Sequence, residues 1–222
     1  MANARSKPVD APAGSGRRPP RFELIGGEVC LDFINTLDDR FTSQPKENLS
    51  SYGDLARFAE DARILEPRRA QELIERGYQN SDAAEVLASA IRMREAMYSV
   101  IWAVVNRKPA PATALAVLNG FVQEAAQHAK LVEKNSRFAW QFDNLSGFAA
   151  PLWPIARSAA DLLASERMKL VRPCASRTCL WLFLDESKNH RRRWCDMTKC
   201  GNRAKFQRFY ERQRSPRAKA KK

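Results

Sequence analysis

Four thiols are the side chains of this sequence best equipped for chemistry. Cys174, Cys179, Cys195 and Cys200 follow the pattern C-x4-C-x15-C-x4-C, two pairs of equal spacing within 27 residues. A thiolate can act as a nucleophile, a redox group or a soft metal ligand, and each use asks for different surroundings. Around the second pair, "RRRWCDMTKCGNRAKFQRFYERQR" crowds arginines against the sulfurs. Either the cations activate the thiols, or the thiols hold a metal that builds a basic surface.

The spacing favours metal. Zinc takes four ligands in a tetrahedron, and a pair a few residues apart on a turn supplies two of them from one side. The second pair must return from another element, which fifteen intervening residues allow. "LWLFLD" predicts a strand, "ESKNH" a turn and "RRRWC" the returning arm of a hairpin. "MTKCGNRAKFQRFYERQR" predicts a helix with Cys200 in its first turns. Knuckle, hairpin and ligand-bearing helix make a treble-clef-like layout around one structural Zn2+. A redox switch and an iron–sulfur cluster are the alternatives. Paired disulfides would need an oxidising compartment, and "MANARSKPVDAPAGSGRRPPR" has no apolar centre of the secretory kind. The expected location is therefore cytoplasmic.

The arginines then need a separate explanation. The formal charge is +13, and residues 172–222 hold 16 Lys and Arg against 4 Asp and Glu. The rest of the chain is close to neutral, so the basic character belongs to the C-terminal fifth. Such asymmetry points to a polyanion, most often nucleic acid. On the last helix, Phe206, Phe209 and Tyr210 recur at helical spacing and are expected to dock on Trp181 and Phe183. Asn202, Arg203, Lys205, Arg208 and Arg212 would then face outward. An amide and a guanidinium suit base edges, while Arg191, Arg192 and Arg193 suit phosphates. DNA is expected ahead of RNA. A solvated basic face, or a zinc-stabilised RNA-binding or protein-interaction module, is the competing reading.

The segment "WCDMTKCGNRAKFQRFY" resembles the CGNR zinc finger, whose tetrapeptide stands here as Cys200, Gly201, Asn202 and Arg203. The likeness continues upstream through "CASRTCLWLFLDESKNHRRRWC" and covers about residues 165–213. It departs at Leu180, where a glycine is expected after the second cysteine. The resemblance implies a DNA-binding module of bacterial transcription regulators.

These ligands must be positioned by what precedes them. Residues 22–166 predict a mainly helical domain. Helices are expected in "GGEVCLDFINTL", in "YGDLARFAEDARIL" stopping near Glu66-Pro67, and from after Pro67 to around Gly77. The longest follows, "SDAAEVLASAIRMREAMYSVIWAVVNR", capped by Ser81 or Asp82, and then "PATALAVLNGFVQEAAQHA". "KLVEK", "NS" and "RFAWQF" suggest one small β-hairpin. "GFAAPLWPIARSAADLLASERM" is a last helix, with Pro151 and Pro154 in its first turn or at a kink. Residues 1–21 read as a disordered basic leader, 167–213 as the finger and 214–222 as a basic tail. The landmarks "LDFINTLDDR", "YGDLARFAEDARIL" and "ARSAADLLAS" resemble the ABATE-like stress-regulator domain that usually precedes a CGNR finger. That resemblance implies a sensory or dimerisation domain, with a small-molecule effector or a homodimer as partners.

Other chemistry is sparse. His128 and His190 are the only histidines, and no phosphate loop, nucleophile elbow or histidine-carboxylate metal motif occurs. The chain is expected not to be an enzyme. Asp32, Asn35, Thr36 and Arg40 fall on one helical flank and form the best candidate ligand pocket, although such residues often cap helices or pair on surfaces. Cys30, Trp102, Trp140 and Trp153 read as core. No apolar run approaches the roughly 18 residues of a membrane span.

Overall fold

A computed structural model describes residues 21–143 and 146–214 of the chain, with the side chains of Lys134, Arg212 and Arg214 left out. The predicted leader (but for Arg21), the tail beyond Arg214 and the Arg212 side chain therefore lie outside the described residues.

Local chemistry sets the helix starts. The chain opens with α1 (Val29–Ile34), shorter than its apolar pattern predicts, because Leu37–Asp38 leaves as strand β1 and pairs antiparallel with β2 (Lys46–Glu47). Helix α2 (Tyr52–Asp61) begins in a capping box: Asp54 N–H donates to the Ser51 hydroxyl, and the Asp54 carboxylate accepts from Ser51 N–H. Pro67 occupies the first turn of α3 (Pro67–Gly77). Helix α4 (Ser81–Val105) is capped by Asn80, one residue ahead of the expected Ser81 or Asp82; its side chain accepts from Asp82 and Ala83 N–H. Then come α5 (Ala112–His128), the hairpin β3 (Ala129–Lys134) and β4 (Arg137–Phe142), and α6 (Leu152–Leu163), with Pro151 at its N-cap and Pro154 in its first turn. Asn135 and Ser136 both have positive φ, as a two-residue hairpin turn requires.

One core gathers Phe33 and Ile34 of α1, Leu55 and Phe58 of α2, Met93, Met97 and Ile101 of α4, and Ile155 and Leu162 of α6. Cys30 is fully buried in it, and burial pushes its thiol up to about 12. Trp153 is buried as expected, its Nε1 donating to Glu124 and its face stacked on His128 at 3.7 Å. Trp102 is partly buried and stacks on Tyr98. Trp140 departs from expectation: it is 45% exposed on the hairpin, with the Arg157 guanidinium 3.9 Å over its ring. Trp140 and Phe142 share one face of the hairpin, and Phe142, at the base of the strand, packs against the core while Trp140 lies one step further out.

A 3-10 turn (Glu166–Leu170) leads into β5 (Val171–Pro173), which pairs antiparallel with β6 (Leu182–Leu184). This corrects the expected hairpin. β6 pairs with the strand before the first cysteine, and the arginine segment 191–193 returns as an extended loop. The described residues end in a π-helical turn (Met197–Gly201) and α7 (Asn202–Arg214).

Side chains alternate across a strand, and β6 uses both faces. Leu182 and Leu184 join the helical core, while Phe183 packs among the cysteines. The seam is closed by backbone bonds: Leu184 N–H donates to Gly26 O at 2.8 Å and Asp185 N–H to Leu170 O at 2.9 Å. Gly27, at φ +84°, permits the approach; a Cβ there would sit 3.1 Å from that of Leu184.

Candidate functional site

The four sulfurs of Cys174, Cys179, Cys195 and Cys200 lie within 4.8 Å of one another. The Cys179–Cys195 and Cys195–Cys200 separations are 3.6 and 3.7 Å. A tetrahedron with Zn–S bonds of about 2.3 Å has edges of about 3.8 Å. A disulfide would bring two sulfurs to about 2.05 Å. The donor set therefore fits one zinc ion and not a pair of disulfides.

Local structure explains how the thiols converge. Cys174 N–H donates to Trp181 O at 2.8 Å, closing the knuckle that carries Cys174 and Cys179. Leu180 turns this knuckle at φ 51°, the left-handed region where glycine would be at ease. The departure from the CGNR pattern thus falls on a strained residue. The second pair is set by Asp196, whose carboxylate accepts from Thr198 and Lys199 N–H and caps the π turn. In that turn a Cβ on Gly201 would meet the Met197 sulfur at 2.5 Å, so a larger residue there would have to displace the Met197 side chain.

The electrostatics also ask for a cation. Hydrogen bonds from Cys179 and Cys195 hold the Cys174 thiol far below its ordinary range. The bond to Cys174 pushes both Cys179 and Cys195 up, and burial raises Cys200. One thiol ionises readily and the others resist adding like charge beside it. A bound dication reverses that preference and makes all four thiolates. Zinc bound here would supply structural cross-linking and leave no open position for a substrate.

The expected basic residues divide into three groups. Arg192 is tied into the finger: its Nε donates to Trp194 O at 2.9 Å, its Nη2 to Cys195 O, and its guanidinium lies 4.6 Å from the Phe183 ring. Arg191 and Arg193 are exposed. Their loop is anchored by Asp185, fully buried, which accepts from Arg192 N–H at 2.9 Å and from Ser187. Hydrogen bonds from Ser187 and Arg192 outweigh burial and keep this carboxylate ionised. His190, in the same loop, makes a 2.8 Å contact through Nδ1 with Asp185 O.

Two contacts gather separate segments around the knuckle. Ala175 N–H donates to Arg193 O at 2.8 Å, and Arg203 Nη1 donates to Thr178 Oγ1 at 3.2 Å. Arg177, exposed on the knuckle itself, therefore joins Arg193 and Arg203. Sequence reading missed Arg177; its place between two ligands was the available signal. Helix α7 does not dock as expected. Phe206, Phe209 and Tyr210 are exposed by 65, 51 and 59%, because Phe183 is already covered by Arg192 and the cysteines. Asn202, Lys205 and Arg208 are exposed too.

The proposed pocket residues are mostly engaged with structure. Asp32 accepts from Gly26 N–H at 2.7 Å, and its burial pushes the carboxyl up to about 7. Asn35 clamps β6 from both sides, donating to Leu182 O at 2.9 Å and accepting from Leu182 N–H at 3.0 Å. The Thr36 hydroxyl donates to Phe33 O and accepts from Arg94, which is itself paired bidentately with Glu47 at 2.6 Å. Asp32, Asn35 and Thr36 do line one polar cleft of about 130 Å³ with Asp38 and Trp181. Arg40 does not join them; it pairs with Glu95 and lies over Tyr98. A second cleft, of about 230 Å³, runs along the seam between Asp38, Asp39, Trp181, Lys199 and Arg203, where Glu23 pairs with Lys199.

Among the described residues, no helix is long and apolar enough to cross a membrane. Comparison with curated proteins gives no match. Two family models do match: one described as "putative stress-induced transcription regulator" (ABATE) over residues 27–166, and the CGNR zinc finger over residues 171–213. The first spans well over half the sequence and the second contains all four ligands, so the chain belongs to the ABATE family and carries a CGNR zinc finger.

Proposed function

We propose that the protein is a cytoplasmic, non-enzymatic transcription regulator that binds DNA through its zinc-held basic surface. One observation carries this reading. The knuckle, the arginine loop and the start of α7 are separate segments, yet contacts at Ala175 and Thr178 hold the backbone of Arg193 and the side chain of Arg203 against the knuckle that carries the exposed Arg177. A zinc site with four protein ligands stabilises that surface and performs no reaction. Phosphate contacts fall naturally to Arg177, Arg191, Arg193 and Lys205, and base contacts to Asn202 and Arg203. Arg192 serves the fold.

The sensing role fits the seam. A small effector seated between Asp38 and Trp181 would touch the helical domain and the finger together, and its binding would bias the Asn35–Leu182 clamp. A homodimer would supply the second DNA contact that one small finger needs for specificity.

The test is a salt titration of zinc-loaded protein on pooled genomic fragments, with sequencing of what remains bound. Each phosphate contact steepens the log–log slope by about 0.9. Arg193→Ala should reduce the slope by about one contact, and Arg203→Ala should abolish enrichment of a defined site. Arg192→Ala should lower stability before it changes the slope. A steep slope without any enriched site would contradict sequence-specific regulation and favour an RNA or protein partner.

A further inference from the structure

Helix α7 carries an unusual combination: exposed aromatic rings on the most basic element of the molecule. Of its described side chains, Ala204 alone is half-buried and the others are exposed. At about 100° per residue, Asn202, Arg203, Phe206, Phe209 and Tyr210 fall within one arc of about 120°, with Lys205 beside Phe209 at its edge and Arg208 on the opposite side. The aromatic residues therefore sit with the two side chains suited to reading bases. Keeping three large rings in water is unfavourable unless a partner covers them.

The charge selects that partner. Residues 172–222 hold 16 bases against 4 acids, so two copies of the finger repel one another, while a polyanion is attracted. Intact duplex DNA shows α7 base edges and phosphates but hides the flat base faces in the stack. Rings gain most where bases are unstacked, and aromatic faces beside cations are the usual platform for such bases. We infer that α7 stacks Phe206 and Tyr210 on unpaired bases, so that the finger prefers single-stranded or locally melted DNA to intact duplex.

This inference rests on the DNA-binding reading, and its test separates the two. Fluorescein-labelled DNA of one length and composition is compared as single strand, duplex, and duplex with a short central mismatched bubble, by anisotropy at fixed salt. The full zinc-loaded chain is used, with Phe206→Leu, Tyr210→Leu and the double variant. Leucine keeps apolar volume and helix propensity, and circular dichroism with zinc content checks that the finger is intact. The expected result is at least about tenfold tighter binding to single strand and bubble than to duplex. Stacking on one base corresponds to roughly 5- to 150-fold, so the double variant should lose most of that preference while its duplex affinity and salt slope stay unchanged. Equal binding of all three forms, or leucine variants that match the parent, would overturn the inference and leave duplex recognition standing. A parent that sediments as a dimer and a double variant that sediments as a monomer would assign the rings to self-association and overturn it too. Absence of binding to any DNA would remove both readings.

Discussion

The helical domain and the finger solve the same folding problem by opposite means. The domain buries aliphatic and aromatic side chains from α1 to α6 in one core. The finger buries little besides Phe183 and four sulfurs, and relies on a metal to supply what apolar area cannot. Yet the two are not separate bodies on a linker. β6 presents Leu182 and Leu184 to one core and Phe183 to the other, and Asn35 of the domain holds its backbone. The finger's own strand is therefore a structural part of the helical domain. What differs is the source of stability, and what is shared is a three-residue strand.

The largest way to break the comparison is to remove a ligand. Cys174→Ser should reduce zinc from one per chain to a trace, since structural zinc sites contribute about 10–16 kcal/mol to folding, and DNA affinity should fall with it. Metal analysis with a binding assay checks both. A smaller break targets the clamp: Asn35→Ala strands the Leu182 N–H and C=O and should cost about 2–4 kcal/mol, read as a lower Tm with zinc still bound. Asp32 tests the domain's side of the seam through pH. Its folded pKa of about 7 lies above the ordinary carboxylate value, so its contribution to stability is full below about pH 4 and is lost as pH rises through 7. Asp32→Asn should flatten Tm between pH 4 and 8 and raise it at pH 8. The smallest effect sharpens the finger's side. Leu180→Gly relieves left-handed strain of roughly 1–2 kcal/mol against lost packing, so chelator resistance should be kept or rise slightly.

The finger was more legible in the sequence than its attachment. Ligand spacing specified the four-sulfur cluster, because metal geometry acts through few residues at fixed separations. The long helices were readable from their caps and prolines. β6 was misassigned its partner because "LWLFLD" is apolar on both faces, and such a run does not say which neighbour it pairs with. Phe206, Phe209 and Tyr210 were assigned to packing by their helical spacing, but spacing reveals a common face and not what covers it. Asn35 was singled out for a pocket. Its type and place were informative, while its partner lies 147 residues away and only folding brings them together.

Hydrogen exchange with and without zinc tests the shared strand most directly. Chelation should release the amides of residues 174–201, Leu182 and Leu184 among them, together with neighbouring α1, while α3 and α5 keep their protection. If α1 and the rest of the domain exchange identically with and without the metal, the finger is an independent module and the coupling through β6 is wrong.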